Sequence, residues 1–280
     1  MTSNQRVVVV TGSSSGNGYE TSLMLARKGF LTYATMRSLT KGQNIKSVAE
    51  KEKLPLKIVQ LDVAEDESVK NAIQSIISEA SRVDVLVNNA GYALFGAFED
   101  LTIEEIMAQY ETNLFGVIRV TQAVLPIMRK QKSGIIVNIS SVVGRYGVPG
   151  ESAYASTKFA IEGLSESMAY EVEPFGIKVV LVEPGVIRTS FFNSRVSAKK
   201  SQNPNSPYSH LMQNVDTGFK HKLANGSSAD VVANVVLKAV TSENPSPRYF
   251  AGKDAETWIQ AKRNMSDEEF YKKMKRAYEL

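Results

Sequence analysis

Cysteine is absent from the 280-residue chain, which excludes disulfides, thiolate-bound metals and a cysteine nucleophile. Histidine is scarce, with only His210 and His221, too few for a histidine-rich centre, and no metal site is expected. No apolar run approaches the roughly 20 residues that cross a bilayer. The run Val7 to Val10 is also too short for a signal peptide. Blocks of like charge are missing too. Lys272-Lys273-Met274-Lys275-Arg276 comes nearest, but it follows Asp267, Glu268 and Glu269 and reads as one solvated, mixed-charge helix. A formal net charge of +4 gives no reason to expect nucleic acid as a partner. What remains, 43% apolar and 22% charged, is the composition of a soluble globular protein, with a cytoplasmic location expected.

Short β-branched or apolar runs alternate with helical periodicity along most of the chain. The pattern predicts strands over Val7 to Val10, Phe30 to Met36, Leu56 to Leu61, Val83 to Val87, Gly134 to Ile139 and Ile177 to Val182, with a last short one at Tyr249-Phe250. Between them, helices are predicted over Tyr19 to Lys28, Asp66 to Glu79, Thr102 to Tyr110, Asn113 to Met128 and from Ser152 to about Glu173. Thr102 with Glu105, and Ser266 with Glu269, are spaced as capping boxes, and Ser228 stands before a helix that runs through Val240. Such alternation predicts an α/β fold: a doubly wound, Rossmann-type parallel sheet with helices on both faces. Residues 190–227 break the rhythm, being rich in Ser, Asn and Pro with little periodicity. The expectation is one domain over 1–280, with an irregular substrate lid at about 190–227 and a helical tail at about 254–280.

The first predicted strand runs into Thr11-Gly-Ser-Ser-Ser-Gly-Asn-Gly18 and then a helix. Strand, glycine turn and helix are the context of a dinucleotide-binding loop, because glycines let the backbone approach a pyrophosphate and the helix N-terminus offers unpaired N–H groups. The spacing is Gly-x-x-x-Gly-x-Gly, not the commoner Gly-x-Gly-x-x-Gly. An enzyme using the unphosphorylated cofactor needs an acid near the end of the second strand. That strand instead closes on Ala34-Thr35-Met36-Arg37. Arg37 suits a ribose 2′-phosphate, helped by the hydroxyl of Ser13 or Ser14, although an arginine after a strand is also ordinary surface. NADP(H) is the expected cofactor, ahead of NAD(H).

Tyr154 and Lys158 are four residues apart in a predicted helix and so share a face. A lysine cation nearby favours the phenolate and lowers a phenol's pKa, making the pair a proton donor and acceptor for carbonyl or alcohol chemistry. By itself the spacing is equally that of a surface pair.

In company, these pieces resemble the short-chain dehydrogenase/reductase family over roughly residues 5–250. Carrying the resemblance are Thr11 to Gly18, Asp62, Asn88-Asn-Ala-Gly91, Asn113, Ser141, Tyr154-x-x-x-Lys158, and Pro184-Gly185 with Thr189, all in family order. The resemblance implies a seven-stranded sheet. It also implies that Tyr154 is the general acid/base, that Lys158 lowers its pKa and holds the nicotinamide ribose, and that Ser141 orients the reacting oxygen, with Ser140 an alternative. Asn113 would hold a water in the proton relay. Gly12, Ser13, Ser15, Gly16, Asn17 and Gly18 would surround the pyrophosphate and ribose, and Asp62 and Val63 the adenine. Asn89, Ala90 and Gly91 would meet the adenine-side ribose, and Pro184, Gly185, Val186 and Thr189 the nicotinamide amide. Asn17 departs from the family, which usually has an apolar residue there.

Tyr33 to Arg37 and Phe159 to Leu164 are similar to the hydroxysteroid and retinol dehydrogenase branch. Tyr92, Leu94, Phe95, Phe98, Val143, Tyr146, Phe191 and Phe192 fall in loops that the fold brings to the strand carboxyl ends, which suits an apolar ketone, aldehyde or alcohol. Packing of the lid explains them equally well. The family also implies a homodimer or homotetramer built through helices near 100–128 and 154–173. A non-catalytic NADP(H)-binding sensor on the same fold is the main alternative, but such proteins commonly lose the tyrosine or lysine. An extended-branch dehydratase or epimerase would be longer, with another glycine spacing. A P-loop phosphotransferase fails because no Gly-Lys-Ser/Thr follows the glycine loop.

Overall fold

The computed structural model describes residues 5–193 and 195–280. Val7–Val10 (β1) is buried along its whole length. Alternate strand residues point to opposite faces, and here both faces are covered. Val7 and Val9 pack with Ile73, Ile76, Val120 and Val124, whereas Val8 and Val10 pack with Leu25, Val232 and Val236. A strand apolar on both faces belongs in the middle of a parallel sheet.

Leu31–Met36 (β2), Leu56–Gln60 (β3), Val85–Asn88 (β4), Gly134–Ile139 (β5), Ile177–Pro184 (β6) and Arg248–Ala251 (β7) complete a seven-stranded sheet in the order β3-β2-β1-β4-β5-β6-β7. Every neighbouring pair runs parallel. The order reverses between β1 and β4, and a crevice for ligands forms at the carboxyl ends around such a switch point.

Gly16–Arg27 (α1) follows β1, and Gln43–Lys51 (α2) lies between β2 and β3. Next come Asp66–Ala80 (α3), Ile103–Tyr110 (α4), Gly116–Gln131 (α5) and Ser152–Val172 (α6). Helices α3, α5 and α6 supply one apolar layer against the sheet. The opposite layer comes from α1 and Ala229–Thr241, which is preceded by Ser190–Asn193 (α7) and Ser209–Ala224 (α8) and is therefore α9. Both expected capping boxes form, Thr102 with Glu105 on α4 and Ser266 with Glu269 on Asp267–Ala277. That last helix is α11, and Ala255–Asn264 is α10. Ser228 occupies the N-cap of α9 without a side-chain bond.

Among the described residues, three helices fall where the pattern predicts none: α2, the four-residue α7 and α8. Helix α8 occupies 16 residues of the stretch expected to be irregular. Its fully packed positions are only Met212 and Val215, while Phe219 and Lys222 face a cavity, so its inner side is not an apolar stripe. Parallel two-residue pairings tie this segment to the body: Leu94–Phe95 with Val196–Ser197, and Ile187–Arg188 with Ser227–Ser228. The tail helices α10 and α11 pack Trp258, Phe270, Met274 and Tyr278 against Tyr146 and Tyr154.

Candidate active site

Two cavities open at the carboxyl ends of the strands and share Tyr154 and Ser141 in their walls. The larger, about 880 Å³, is a cleft running from the loop after β1, past Arg37 and Asp62, to Pro184. The smaller, about 130 Å³, is a chamber walled by Val143, Tyr146, Phe191, Phe192, Phe219 and Trp258 among others.

Most of the expected cofactor residues line the cleft: Gly12, Ser15, Gly16, Asn17, Arg37, Asp62, Val63, Asn89, Ala90, Gly91, Pro184, Gly185 and Thr189, together with Tyr154 and Lys158. Ser13, Gly18 and Val186 do not. Ser13 is fully buried, donating to the Val10 carbonyl at 2.9 Å and accepting from Ser22. Its neighbour Ser14 lines the cleft instead. Val186 lines the chamber, and its N–H donates to the Asp254 carboxylate. Lys41, which the sequence pattern did not single out, joins Arg37 at the cleft. Among the described residues, no side chain bonds to the Arg37 guanidinium.

The backbone of the cleft is shaped for a close ligand. Gly12 and Gly16 have φ of +69° and +60°, conformations that side chains disfavour. A Cβ on Gly12 would stand 2.8 Å from Ala90 Cα, and one on Gly18 would overlap Asn89 Nδ2 and the Gly12 carbonyl. Asn89 fixes the loop from below, donating to the carbonyls of Thr11 at 2.9 Å and Gly12 at 3.1 Å. The Thr11 hydroxyl in turn accepts from the Asn89 and Ala90 N–H groups. Asn17 Oδ1 and Ser140 Oγ are buried in the cleft wall with no partner among the described residues. A glycine cradle at a helix start, unsatisfied polar atoms and two basic side chains in the wall fit a dinucleotide. Gly18→Ala is expected to cost about 1–3 kcal/mol of stability through overpacking and to weaken nucleotide binding. Thermal melts with and without NADPH check this; an unchanged pair of melts would contradict it.

Tyr154 and Lys158 lie on α6 and are both buried. The Lys158 ammonium donates to the Ile139 carbonyl at 2.7 Å and sits 5.6 Å from the Tyr154 ring centroid. Burial lowers Lys158 to about 8, against the pull of the Glu162 carboxylate. Burial also raises the Tyr154 phenol well above its usual range; the Glu151 carboxylate adds to the rise, and a hydrogen bond with Ser141 opposes it. The expected lowering of the phenol by Lys158 is therefore not met in this state. Desolvation of the phenolate dominates, and the Lys158 ammonium spends its hydrogen bond on the end of β5. The phenol is held protonated, as a proton donor must be.

Ser141 N-caps a short turn, its hydroxyl accepting from the Val143 N–H at 3.3 Å and reaching the Pro184 carbonyl at 3.4 Å. Ser140 points into the packing beside Gly144 and does not line the chamber, so Ser141 is the serine that meets both cavities. Asn113 lies in a single π-helical turn, Glu111–Phe115, between α4 and α5, an irregularity frequent at functional sites. Its side chain donates to the Tyr92 carbonyl at 2.8 Å and to Thr157 Oγ1 at 3.3 Å, and it accepts from the Tyr92 N–H at 3.0 Å. It stands behind Gly91, outside both cavity walls.

Comparison with known proteins decides the family. A family model described as short chain dehydrogenase matches residues 6–200. The chain belongs to that family. Among its relatives, this short-chain dehydrogenase is 38% identical to a 3-ketodihydrosphingosine reductase of Bacteroides thetaiotaomicron over 247 residues, 88% of either chain. It is 36% identical to human retinol dehydrogenase 8 over 257 residues, covering 89% of this chain and 82% of that one, in keeping with the retinol-branch resemblance. Among solved structures, an alcohol dehydrogenase of Thermococcus sibiricus complexed with 5-hydroxy-NADP superposes with a TM-score of 0.73 at 25% identity, over 89% of this chain and 97% of that one.

Proposed function

We propose that this short-chain dehydrogenase is an NADP(H)-dependent oxidoreductase that interconverts an apolar ketone or aldehyde and its alcohol. The observation that carries the reading is the meeting of a dinucleotide-shaped cleft and an aromatic chamber at Tyr154 and Ser141. When bound, a nicotinamide cofactor supplies or accepts the hydride. Tyr154, buried and protonated, gives its proton to the carbonyl oxygen in reduction. Ser141 holds that oxygen, and the Lys158 charge favours the phenolate once the proton has gone. Asn113 holds the Tyr92 loop and serves the proton relay behind Lys158. Tyr146, Phe191 and Phe192 supply apolar surface for the substrate, while Phe98, 73% exposed, does not contribute.

NADP(H) is favoured over NAD(H) by Arg37, Lys41 and Ser14 in the cleft wall and by the NADP derivative bound in the Thermococcus relative. Arg37→Ala is expected to raise KM for NADPH about 10–100-fold, the equivalent of one charge-assisted contact of about 1.5–3 kcal/mol, with little change for NADH. Equal losses for both nucleotides would sink the phosphate role. Initial rates with NADPH and a panel of carbonyl compounds test the activity; cofactor binding without turnover of any of them would favour the sensor alternative.

We extend the proposal to a cytoplasmic homodimer or homotetramer whose residues 190–227 cover the substrate. Exposed Met107, Phe115, Phe159 and Tyr170 on α4, the π turn and α6 support association through those helices. No helix among the described residues is long and apolar enough to cross a membrane.

A further inference from the structure

The chamber beside Tyr154 carries charge that its aromatic walls do not explain. Lys222, on α8, lies 3.4 Å from the Tyr278 ring centroid and 5.1 Å from that of Trp258. Its ammonium has no hydrogen-bond or ion-pair partner among the described residues. Arg195 lines the same chamber. One guanidinium nitrogen, Nη2, donates to Asp216, and the plane rests on Phe95 and Phe192 at 4.0 and 4.3 Å, yet Nη1 is buried with no partner. Two cationic groups therefore leave N–H donors unused around one enclosed space. Arg195 Nη1 is the buried one of the two, and a buried donor without an acceptor is costly and rarely idle in a native fold; Lys222 is half-buried.

Two carboxyl groups also face the chamber. Asp254 is engaged, accepting from the Val186 N–H at 3.0 Å. Glu151 is buried, and burial raises it to about 7 although Arg195 and Lys222 pull it down. In its protonated form it is a further donor, not a competitor for the two cations.

We propose that Lys222 and Arg195 form a polar subsite for an oxygen acceptor at the end of the substrate remote from the reacting carbon. The substrate is then bifunctional: a carbonyl or carbinol meets Tyr154 and Ser141, an apolar body lies on the aromatic rings, and a second oxygen is held by Lys222 and Arg195 Nη1. That oxygen belongs to a carboxylate or a hydroxyl; Glu151 tolerates either while protonated and opposes a carboxylate once ionised. An amine is disfavoured because the unused groups are donors, and a plain hydrocarbon leaves both cations unsatisfied. The inference rests on the oxidoreductase reading, whose reacting groups fix the other end of the substrate.

Trp258 is the only tryptophan and lines the chamber, so its fluorescence reports occupancy without turnover. Full-length protein loaded with NADP⁺ is titrated with three short ketones of one aliphatic body, ending in a methyl, a hydroxyl or a carboxylate. At least one oxygen-ended ligand is expected to bind tenfold or more tightly than the methyl-ended one, and whichever does so identifies the oxygen. Lys222→Met is expected to abolish the difference and Lys222→Arg to keep it. Equal or better binding of the methyl-ended ketone by the wild-type protein overturns the proposal, whatever the variants do. So does a preference that survives Lys222→Met. Rates with NADPH separate the two readings: turnover without preference removes the subsite alone, whereas preference without turnover of any ketone removes the oxidoreductase assignment.

Discussion

Tyr154→Phe is expected to slow carbonyl reduction by about 10²–10⁴-fold, the range that a positioned proton donor contributes. The substitution removes one oxygen and leaves the ring, which packs beside Phe191 with centroids 5.9 Å apart. Among the described residues only Ser141 bonds to the phenol, so the fold has little to lose with it. The loss should fall on kcat and not on KM, because the proton is needed only as negative charge develops on the substrate oxygen. Steady-state rates with NADPH and any ketone found to be a substrate would measure it. A variant that kept full activity would show that the proton comes from elsewhere, and the most central assignment would fail.

Arg248→Met is expected to cost about 3–5 kcal/mol of stability, the usual penalty for stranding a buried charge. Arg248, at the start of β7, donates through Nε to Glu183 at 2.9 Å and through Nη2 to Glu162 at 2.9 Å, and it also reaches Glu166. Glu183 is fully buried, and its remaining partner is Arg145 at 3.2 Å. Without Arg248 the carboxylates of Glu183 and Glu162 would face one another with one cation between them. Burial, and then Glu162, already push the Glu183 carboxyl upward despite the two arginines. A group raised in the folded state contributes most below its unfolded pKa, and that contribution is lost as pH rises through the folded value. Removal of a cation raises it further, so the deficit of the variant should be larger at pH 8 than at pH 5. Denaturant titrations at both pH values test this. A deficit below about 1 kcal/mol, the level of an exposed pair, would contradict it, as would one larger in acid. Glu183 also precedes Pro184 in the cleft wall, so the variant should bind nucleotide less well.

The sheet was legible because its central strands are buried on both faces. Val7 to Val10 and Ile135 to Val137 are apolar without alternation, and the intervening helices show one apolar side. Helix α8 was not legible, since the side it turns inward holds Phe219 and Lys222 around a cavity instead of a stripe of aliphatics. The same feature hid the chamber's charges: a lysine and an arginine in a polar stretch read as surface until topology places them among rings. Lys222 stands three places from Phe219, a helical spacing that puts the two on one side, and this is the single local sign of a charge among rings. Within the glycine loop the residue types were readable, but their division of labour was not. Ser13 turned out to be structural and Ser14 to face the cleft, a difference that depends on one step of backbone rotation after β1. The direction of the Tyr154 shift was equally hidden, because spacing reveals the lysine but not the depth of burial that raises the phenol.

The most direct test of the proposed reaction is the fate of the hydride. Protein incubated with NADPH carrying deuterium at the transferable position, together with an apolar ketone, should yield the alcohol with one deuterium on the carbinol carbon, detectable by mass spectrometry. Tyr154→Phe should yield little of that product in the same time. Nucleotide binding with no labelled alcohol from any ketone or aldehyde tried would contradict the assignment and leave a nucleotide-binding protein without this chemistry.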